Sequence, residues 1–168
     1  MGNLLFSPSG RIGPGAYMKG MIVLAVISAV ISIIPLVSPG LGVILGFVSL
    51  ILIIPFIFLG IKRSHDAGKS GWMVLTHILL YIGVATAVYF IMQALGLGVD
   101  PTLQASMDEA AAAGDMGAVM EMTGQVAQAS AIPSAISTLV TTVASAFLIN
   151  MLNKQDMGDN QFGPVPAA

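Results

Sequence analysis

Residues Lys62 to Trp72 read KRSHDAGKSGW, and this stretch separates two long apolar runs. Three of the six basic residues of the chain lie within these eleven positions, together with two glycines and the single tryptophan. A short basic segment between two apolar runs is typical of a cytoplasmic turn that joins two membrane-spanning helices. We therefore predict a cytoplasmic turn over residues 62–70, with Trp72 at the membrane interface.

The composition places the chain in a membrane. Its 168 residues are 56% hydrophobic and 8% charged, whereas about 25% of the residues of a soluble domain are charged. The formal net charge of −2 argues against a nucleic-acid partner, which would require a basic face. The chain has no cysteine, which excludes disulfide bonds and thiolate chemistry.

Four apolar runs are long enough to cross a bilayer, and they cover residues 17–37, 41–61, 71–95 and 132–152. About 20 residues at 1.5 Å each match a hydrocarbon core about 30 Å thick. We predict an all-α membrane protein, a four-transmembrane-helix bundle that forms one domain over residues 1–168, with a tail at 153–168. The first run could instead be a cleaved signal peptide, but its length and the second run that follows favour a retained span.

The segment between the third and fourth runs, residues 96–131, differs in kind. It holds five acidic residues, no lysine and no arginine, and its apolar residues recur at helical spacing. We predict two short amphipathic helices that lie on the membrane surface. The alternative is a partly disordered, low-complexity loop.

The distribution of positive charge predicts the orientation. With four spans, all six basic residues fall on the side that carries both termini: Arg11, Lys19, Lys62, Arg63, Lys69 and Lys154. Because basic residues concentrate in cytoplasmic segments, both termini are expected in the cytoplasm and the acidic loop 96–131 outside it.

Small residues mark possible helix contacts. Gly42 and Gly46 form a GxxxG pattern, and the fourth run places hydroxyl residues on one face at Ser134, Thr138, Thr141 and Ser145. Such faces usually let another helix approach, which allows a membrane-protein partner or a homo-oligomer. A solute path along the hydroxyl face is the alternative.

The central stretch does not predict an active site. The AGKS sequence lacks the phosphate-loop glycine five residues before Gly68, where Arg63 stands instead. His65 and Asp66 are too few for a metal, which needs three or four ligands, and the only other histidine, His77, lies within the third run. We therefore predict no catalytic residue, no metal site and no cofactor, and we interpret Asp66 as a partner of its basic neighbours.

Basic residues on the termini side could also bind membrane lipids. Arg11, Lys62, Arg63 and Lys69 would form a cluster facing anionic headgroups, and each such residue contributes about 1 kcal/mol.

Three separated blocks carry a resemblance to a known family. They are Phe6 with the GRIG sequence and Tyr17, then KRSHDAGKSGW, then NQFGPVP at Asn160 to Pro166. In order and placement they resemble the bacterial membrane family catalogued as domain of unknown function number 805. The chain departs from that pattern at Pro14 or Gly15, at Met18 and in its long loop. The resemblance implies a small four-helix protein of the bacterial inner membrane with cytoplasmic termini, and it implies no activity.

Because the topology brings these blocks to one side, we predict that they form a cap. Arg11, Arg63, His65 and Asp66 would be hydrogen-bonded, since polar groups at the mouth of a bundle must be paired or hydrated. Phe6, Trp72 and Phe162 would pack over them. The full set of candidate cap or lipid-binding residues is Arg11, Lys62, Arg63, His65, Asp66, Lys69, Trp72, Asn160 and Phe162.

These observations favour a non-catalytic accessory or scaffold protein that binds a partner protein or lipid. A small-solute transporter or channel component is the alternative. The spans carry few of the buried charges that ion pathways use, so His77, Gln93 and the hydroxyl face are its candidates. An enzyme that uses His65 and Asp66 on a lipid-like substrate is the third possibility.

Overall fold

The structure is a computed structural model that describes residues 5–166, except for the side chains of Pro39 and Val43. Residues 5–166 form helices and no strand, and an isolated bridge joins Asn160 to Gly163. The α-helices are α1 (Pro14–Ile33), α2 (Pro39–Ser49), α3 (Ile53–Asp66), α4 (Val74–Ala94), α5 (Pro101–Ala112), α6 (Met116–Ala129) and α7 (Ala131–Leu152). Short 3-10 turns cover Ile34–Leu36, Leu50–Leu52 and Gly71–Met73.

Four helical stretches are long and apolar enough to cross a membrane. They are Pro14–Leu36, Gly40–Asp66, Gly71–Ala94 and Ala131–Leu152. The predicted all-α fold with four such helices is therefore confirmed. The two short helices predicted in the loop are also confirmed, as α5 and α6.

Proline and aspartate set where several helices begin. Pro14 and Pro101 lie in the first turns of α1 and α5. At these positions a backbone N–H would have no helical acceptor, so its absence in proline costs no hydrogen bond. Asp100 caps α5 by accepting a hydrogen bond of 2.8 Å from the Thr102 N–H. Asp115 caps α6 in the same way, accepting from the Ala118 N–H at 3.0 Å. The loop helices are therefore specified locally.

The second membrane-spanning stretch is interrupted near its middle. Its helix tightens into the 3-10 turn Leu50–Leu52 and resumes as α3, in which Pro55 lies in the first turn. Proline cannot donate the helical hydrogen bond and its ring crowds the preceding turn, so a break of this kind is expected just before Pro55.

The polar turn after the second span is shorter than predicted. Helix α3 continues through residues 62–66 and ends at Asp66, so only Ala67 to Ser70 link it to the turn Gly71–Met73. The helix can continue because Lys62, Arg63 and Asp66 are buried within the protein and do not extend into water. Gly68 then reverses the chain with φ of +68°, a conformation that favours glycine.

The first and fourth spans form the centre of the molecule. Helix α1 packs along α7, α4 packs on another side of α7, and α6 lies against α2 and the turn Ile34–Leu36. One end of the assembly, here called the termini end, holds the start of α1, the end of α3, the start of α4 and the end of α7. Its apolar core consists of Ile12, Tyr17, Met21, Leu24, Leu59, Ala146 and Ile149.

Candidate functional site

Asp66 is the centre of a charged cluster at the termini end. It is the last residue of α3, and its side chain is completely buried. Its Oδ2 accepts a hydrogen bond from Arg63 Nη1 at 2.5 Å, and its Oδ1 accepts from Arg11 Nε and Nη2, each at 3.3 Å. A buried carboxylate is tolerated when it is paired and hydrogen-bonded in this way. We call Arg11, Arg63 and Asp66 the cap cluster.

Arg11 connects the cap cluster to the C-terminal tail. Its Nη1 donates to the carbonyl oxygens of Gly158 at 2.7 Å and Gly163 at 3.1 Å, and its Nη2 donates to the Asp156 carbonyl at 2.6 Å. The guanidinium has five N–H donors in one plane, so one side chain can bind several acceptors of a folded-back tail. The segment before α1 is thereby joined to the segment after α7.

Arg63 connects the cap cluster to the end of α7. Its Nε donates to Asn150 Oδ1 at 2.8 Å, and its Nη2 donates to the carbonyl oxygen of Asn153. The Asp156 N–H also donates to the Asp66 carbonyl at 2.8 Å, so the backbone after α7 lies directly on the end of α3. Two spans that are distant in sequence are fixed to each other at this point.

His65 and Phe162 form the outer layer of the site. Their rings are stacked, with centroids 3.9 Å apart and an angle of 5° between planes. His65 Nδ1 lies 3.1 Å from the Gly10 carbonyl, so Nδ1 carries the proton and donates to that oxygen. Asn160 Nδ2 donates to the His65 carbonyl at 3.1 Å. The tail is therefore held to His65 by one ring contact and one hydrogen bond.

Asp156 stabilises the turn of the tail as a charged acceptor. Its pKa lies below the ordinary value, first because the Gly158 N–H donates to the carboxylate, then because Asn160 Nδ2 donates to it and Arg11 is nearby. Since the ionised form of Asp156 is favoured in the folded protein, its contribution to folding stability is present at neutral pH. It is lost as the pH falls through the lowered pKa.

A second polar group lies beside the cap cluster. Asn153 Oδ1 accepts from Lys69 Nζ at 3.1 Å, which leaves Asn153 Nδ2 facing His77 Nε2 at 3.0 Å. Because Nδ2 can only donate, His77 Nε2 is the acceptor and the ring proton lies on Nδ1. His77 Nδ1 is buried and has no hydrogen-bond partner in the described part of the chain.

The structure brings together the residues expected to form the hydrogen-bonded part of the cap. Asp66 pairs with both Arg11 and Arg63. The His65 ring instead bonds the Gly10 carbonyl and stacks on Phe162, and it makes no hydrogen bond to the side chains of the cap cluster. Asn160 is joined to His65 through the His65 carbonyl. The sequence analysis missed Asn150, Asn153 and Asp156. Asn150 lies in the last turn of α7 and Asn153 directly follows its end, and this polar pair three residues apart is the signal that could have indicated them.

Two of the expected aromatic contacts do not form. Trp72 is 79% exposed and Phe6 is 69% exposed, so neither packs over the cap cluster, contrary to the prediction. Trp72 lies in the 3-10 turn that opens the third span and points away from the protein. Amphipathic rings are stabilised at the level of lipid headgroups, which explains an outward position.

The predicted lipid-facing set is also different in the structure. The side chains of Arg11 and Arg63 are each 1% exposed, and Lys62 is 3% exposed. These three residues therefore present little surface to headgroups, and Lys69 is partly buried on Asn153. Lys19 and Lys154 are the exposed lysines of the termini end.

The chemistry available at the cap cluster is that of a closed ionic contact. Its side-chain donors and acceptors are directed at one another, at the Asn150 side chain and at backbone carbonyls. Among residues 5–166, no group of three or more His, Cys, Asp or Glu residues could hold a metal ion.

Comparison with known proteins shows a family match. The family described as "Protein of unknown function (DUF805)" matches residues 5–164, which is nearly the whole chain. The same comparisons find no matching curated protein and no matching solved structure.

Proposed function

The chain belongs to the DUF805 family of proteins of unknown function, and from this premise we propose that it is a non-catalytic accessory or scaffold protein of the bacterial inner membrane. In this proposal it binds membrane lipid or a partner membrane protein. It is a multi-pass membrane protein by the length and apolar character of its four helices. Both termini lie in the cytoplasm, because all six basic residues belong to the termini end.

One observation carries the non-catalytic part of the proposal: every side-chain nitrogen and oxygen of the charged groups in the cap cluster already has a partner within the protein. All three nitrogens of each guanidinium donate to protein acceptors, and both oxygens of Asp66 accept from arginine. A catalytic acid, base or anion-binding arginine must be within hydrogen-bond reach of its substrate. The family blocks that meet here therefore serve to hold the helices and both terminal segments together.

The surface around the cap supports binding of anionic lipid. Trp72 is exposed beside the start of the third span, and Lys19 and Lys154 are exposed at the same end. An interfacial tryptophan and lysines at the headgroup level favour a membrane leaflet with negative charge, with about 1 kcal/mol for each basic residue. The lysines, and not the arginines, supply this attraction.

Native mass spectrometry of the protein released from phosphatidylglycerol-containing nanodiscs tests lipid binding. Replacing both exposed lysines (Lys19→Gln with Lys154→Gln) is expected to lower the number of phosphatidylglycerol molecules retained, because two favourable charges of about 1 kcal/mol each are lost. The Lys19→Arg and Lys154→Arg pair keeps the charge and should retain the lipid. Equal retention by the glutamine pair and the wild type would contradict the proposal.

A small-solute transporter component is the second candidate, and a specific feature favours it. Two cavities, each lined by apolar residues together with several hydroxyl groups, lie among the spans under the acidic loop, next to the hydroxyl face of α7. Flux of an uncharged solute into liposomes, abolished by His77→Ala, would favour this candidate over the scaffold.

A further inference from the structure

Two cavities lie at the loop end of the molecule and share one wall. The first, of about 310 Å³, lies between α4 and α7, and the second, of about 380 Å³, lies among all four spans and α6. Tyr81, Ser130, Ser134 and Thr138 line both of them. Both cavities extend along the face of α7 that carries its hydroxyl groups.

Several hydroxyl groups along these cavities are available to a ligand, although the Ser130 hydroxyl already donates to the Val126 carbonyl at 2.7 Å. Thr141 lines the first cavity and is only 3% exposed, and its hydroxyl makes no hydrogen bond to another described residue. Thr141 Oγ1 is not among the fully buried atoms that lack a partner, so it is reached from the cavity, where a bound polar group can pair with it. The hydroxyl of a helical threonine commonly donates a hydrogen bond to a carbonyl of the preceding turn, as the Thr123 hydroxyl does to the Val119 carbonyl at 2.7 Å. The Thr141 hydroxyl makes no such bond.

The polar wall reaches deep into the apolar layer. From Ser130 to Thr141 the helix rises about 16 Å at 1.5 Å per residue, which is roughly half of a 30 Å hydrocarbon core. Below Thr141, the side-chain oxygens of Thr142 and Ser145 and Nδ1 of His77 are buried and have no partner in the described part of the chain. The unpaired polar groups thus continue from the cavities toward Asn153.

The chemistry of the lining restricts the class of ligand. The residues that line the two cavities in the described part of the chain carry no charge, and Ser, Thr and Tyr hydroxyls both donate and accept hydrogen bonds. Burial of an unpaired ion here would be costly, whereas an uncharged group with hydroxyls matches the wall. At about 30 Å³ for each water molecule, the first cavity has the volume of roughly ten waters and the second of roughly thirteen, which is room for a small polyol or the glycerol part of a lipid.

From this geometry we infer that the two cavities form one binding site for an uncharged, hydroxyl-bearing group. The group comes either from a free polyol or from the glycerol moiety of a neutral lipid, and Thr138 and Thr141 are its hydrogen-bond partners. The inference does not depend on the proposed scaffold function, which rests on the cap cluster at the opposite end of the molecule, although it uses the same cavities as the transporter candidate.

Cysteine reactivity measures whether the site is polar and accessible. The chain has no cysteine, so Thr138→Cys can be compared directly with Val140→Cys, which is at a similar depth on α7 but 49% exposed on its outer, apolar surface. In liposomes, 2-hydroxyethyl methanethiosulfonate should modify Thr138→Cys at least about tenfold faster, because apolar surroundings raise a thiol pKa and each unit lowers the thiolate fraction tenfold. Equal rates would overturn the inference. Ser134→Cys, in the same wall, replaces Thr138→Cys if that variant does not fold.

Protection against this modification identifies the ligand. Protection of Thr138→Cys by glycerol indicates a soluble polyol, and protection by 1-monooctanoylglycerol alone indicates a lipid source. Either result supports the site. Absence of protection by both probes, or equal protection by charged glycerol 3-phosphate, would overturn it. The Val140→Cys variant should not be protected by any of the three probes.

Discussion

Asp66 is the residue on which the termini end depends. It is the single carboxylate shared by two buried guanidiniums, and the remaining donors of Arg11 and Arg63 are bound by backbone carbonyls and Asn150. A buried ion pair contributes little by itself, but removal of one partner leaves an uncompensated charge. The stability of the protein is therefore expected to fall even when Asp66 is replaced by a residue of the same shape.

We expect Asp66→Asn to destabilise the protein by about 3–5 kcal/mol, because two buried positive charges then lack a counter-charge. The measurement is chemical unfolding in detergent micelles. Asp108→Asn is the matched control, since Asp108 is an exposed acid of α5, and its effect should stay within about 0.5 kcal/mol. Equal effects of the two changes would show that the cap cluster does not hold the helices.

The sequence could predict the cap contacts only in part. Arg11, Arg63 and Asp66 could be placed together because the order of the spans brings their segments to one side. Asn150 and Asn153 could be noticed as a polar pair, but their partners could not be identified, because an asparagine near a helix end is compatible with many roles. The outward direction of Trp72 depends on the rotation of a short turn, which the sequence does not determine.

At the scale of elements, α3 and α4 approach each other closely at Gly60, next to the cap cluster. A Cβ built on Gly60 would lie 2.9 Å from Val74 Cγ2 and 3.3 Å from His77 Nδ1. Only glycine allows the two helices this separation without a shift of one of them. The length and apolar character of the spans were predictable, whereas this contact depends on how the helices are rotated.

We expect Gly60→Ala to be less stable than Gly83→Ala by roughly 1–3 kcal/mol, because a methyl group is forced into a packed contact. Gly83 lies within α4 and a Cβ there meets nothing within 4 Å, so Gly83→Ala should be neutral or stabilising by up to about 1 kcal/mol. Thermal unfolding of both variants in the same detergent checks this. Equal melting behaviour would mean that α3 and α4 are not in close contact.

The C-terminal tail is held against the end of α3 by the ring of Phe162, which stacks on His65. Removal of its ring in Phe162→Ala should cost about 0.5–1.5 kcal/mol beyond the lost buried area, because the stack on His65 is lost. The segment 156–163 should then be cleaved faster by limited proteolysis. Phe6→Ala, at a ring that is 69% exposed, should leave the cleavage rate unchanged. Faster cleavage in both variants, or in neither, would contradict the contact.

At the scale of the whole molecule, the protein has two different ends. The termini end gathers the six basic residues and the cap cluster, while the loop end carries the acidic helices and the two cavities. This division was predictable because charge follows the side of the membrane. The cavities were not, since they result from how far the spans separate beneath the loop.

The most direct test of this account is the labelling of two cysteine variants in intact cells with a membrane-impermeant maleimide. Gln125→Cys lies on an exposed position of the loop helix α6, and Gln161→Cys lies on an exposed position of the tail beside the cap cluster. When the maleimide can cross the outer membrane, it should label Gln125→Cys at once. It should label Gln161→Cys only after the inner membrane is disrupted. Labelling of both positions, or of Gln161→Cys alone, in intact cells would contradict the arrangement.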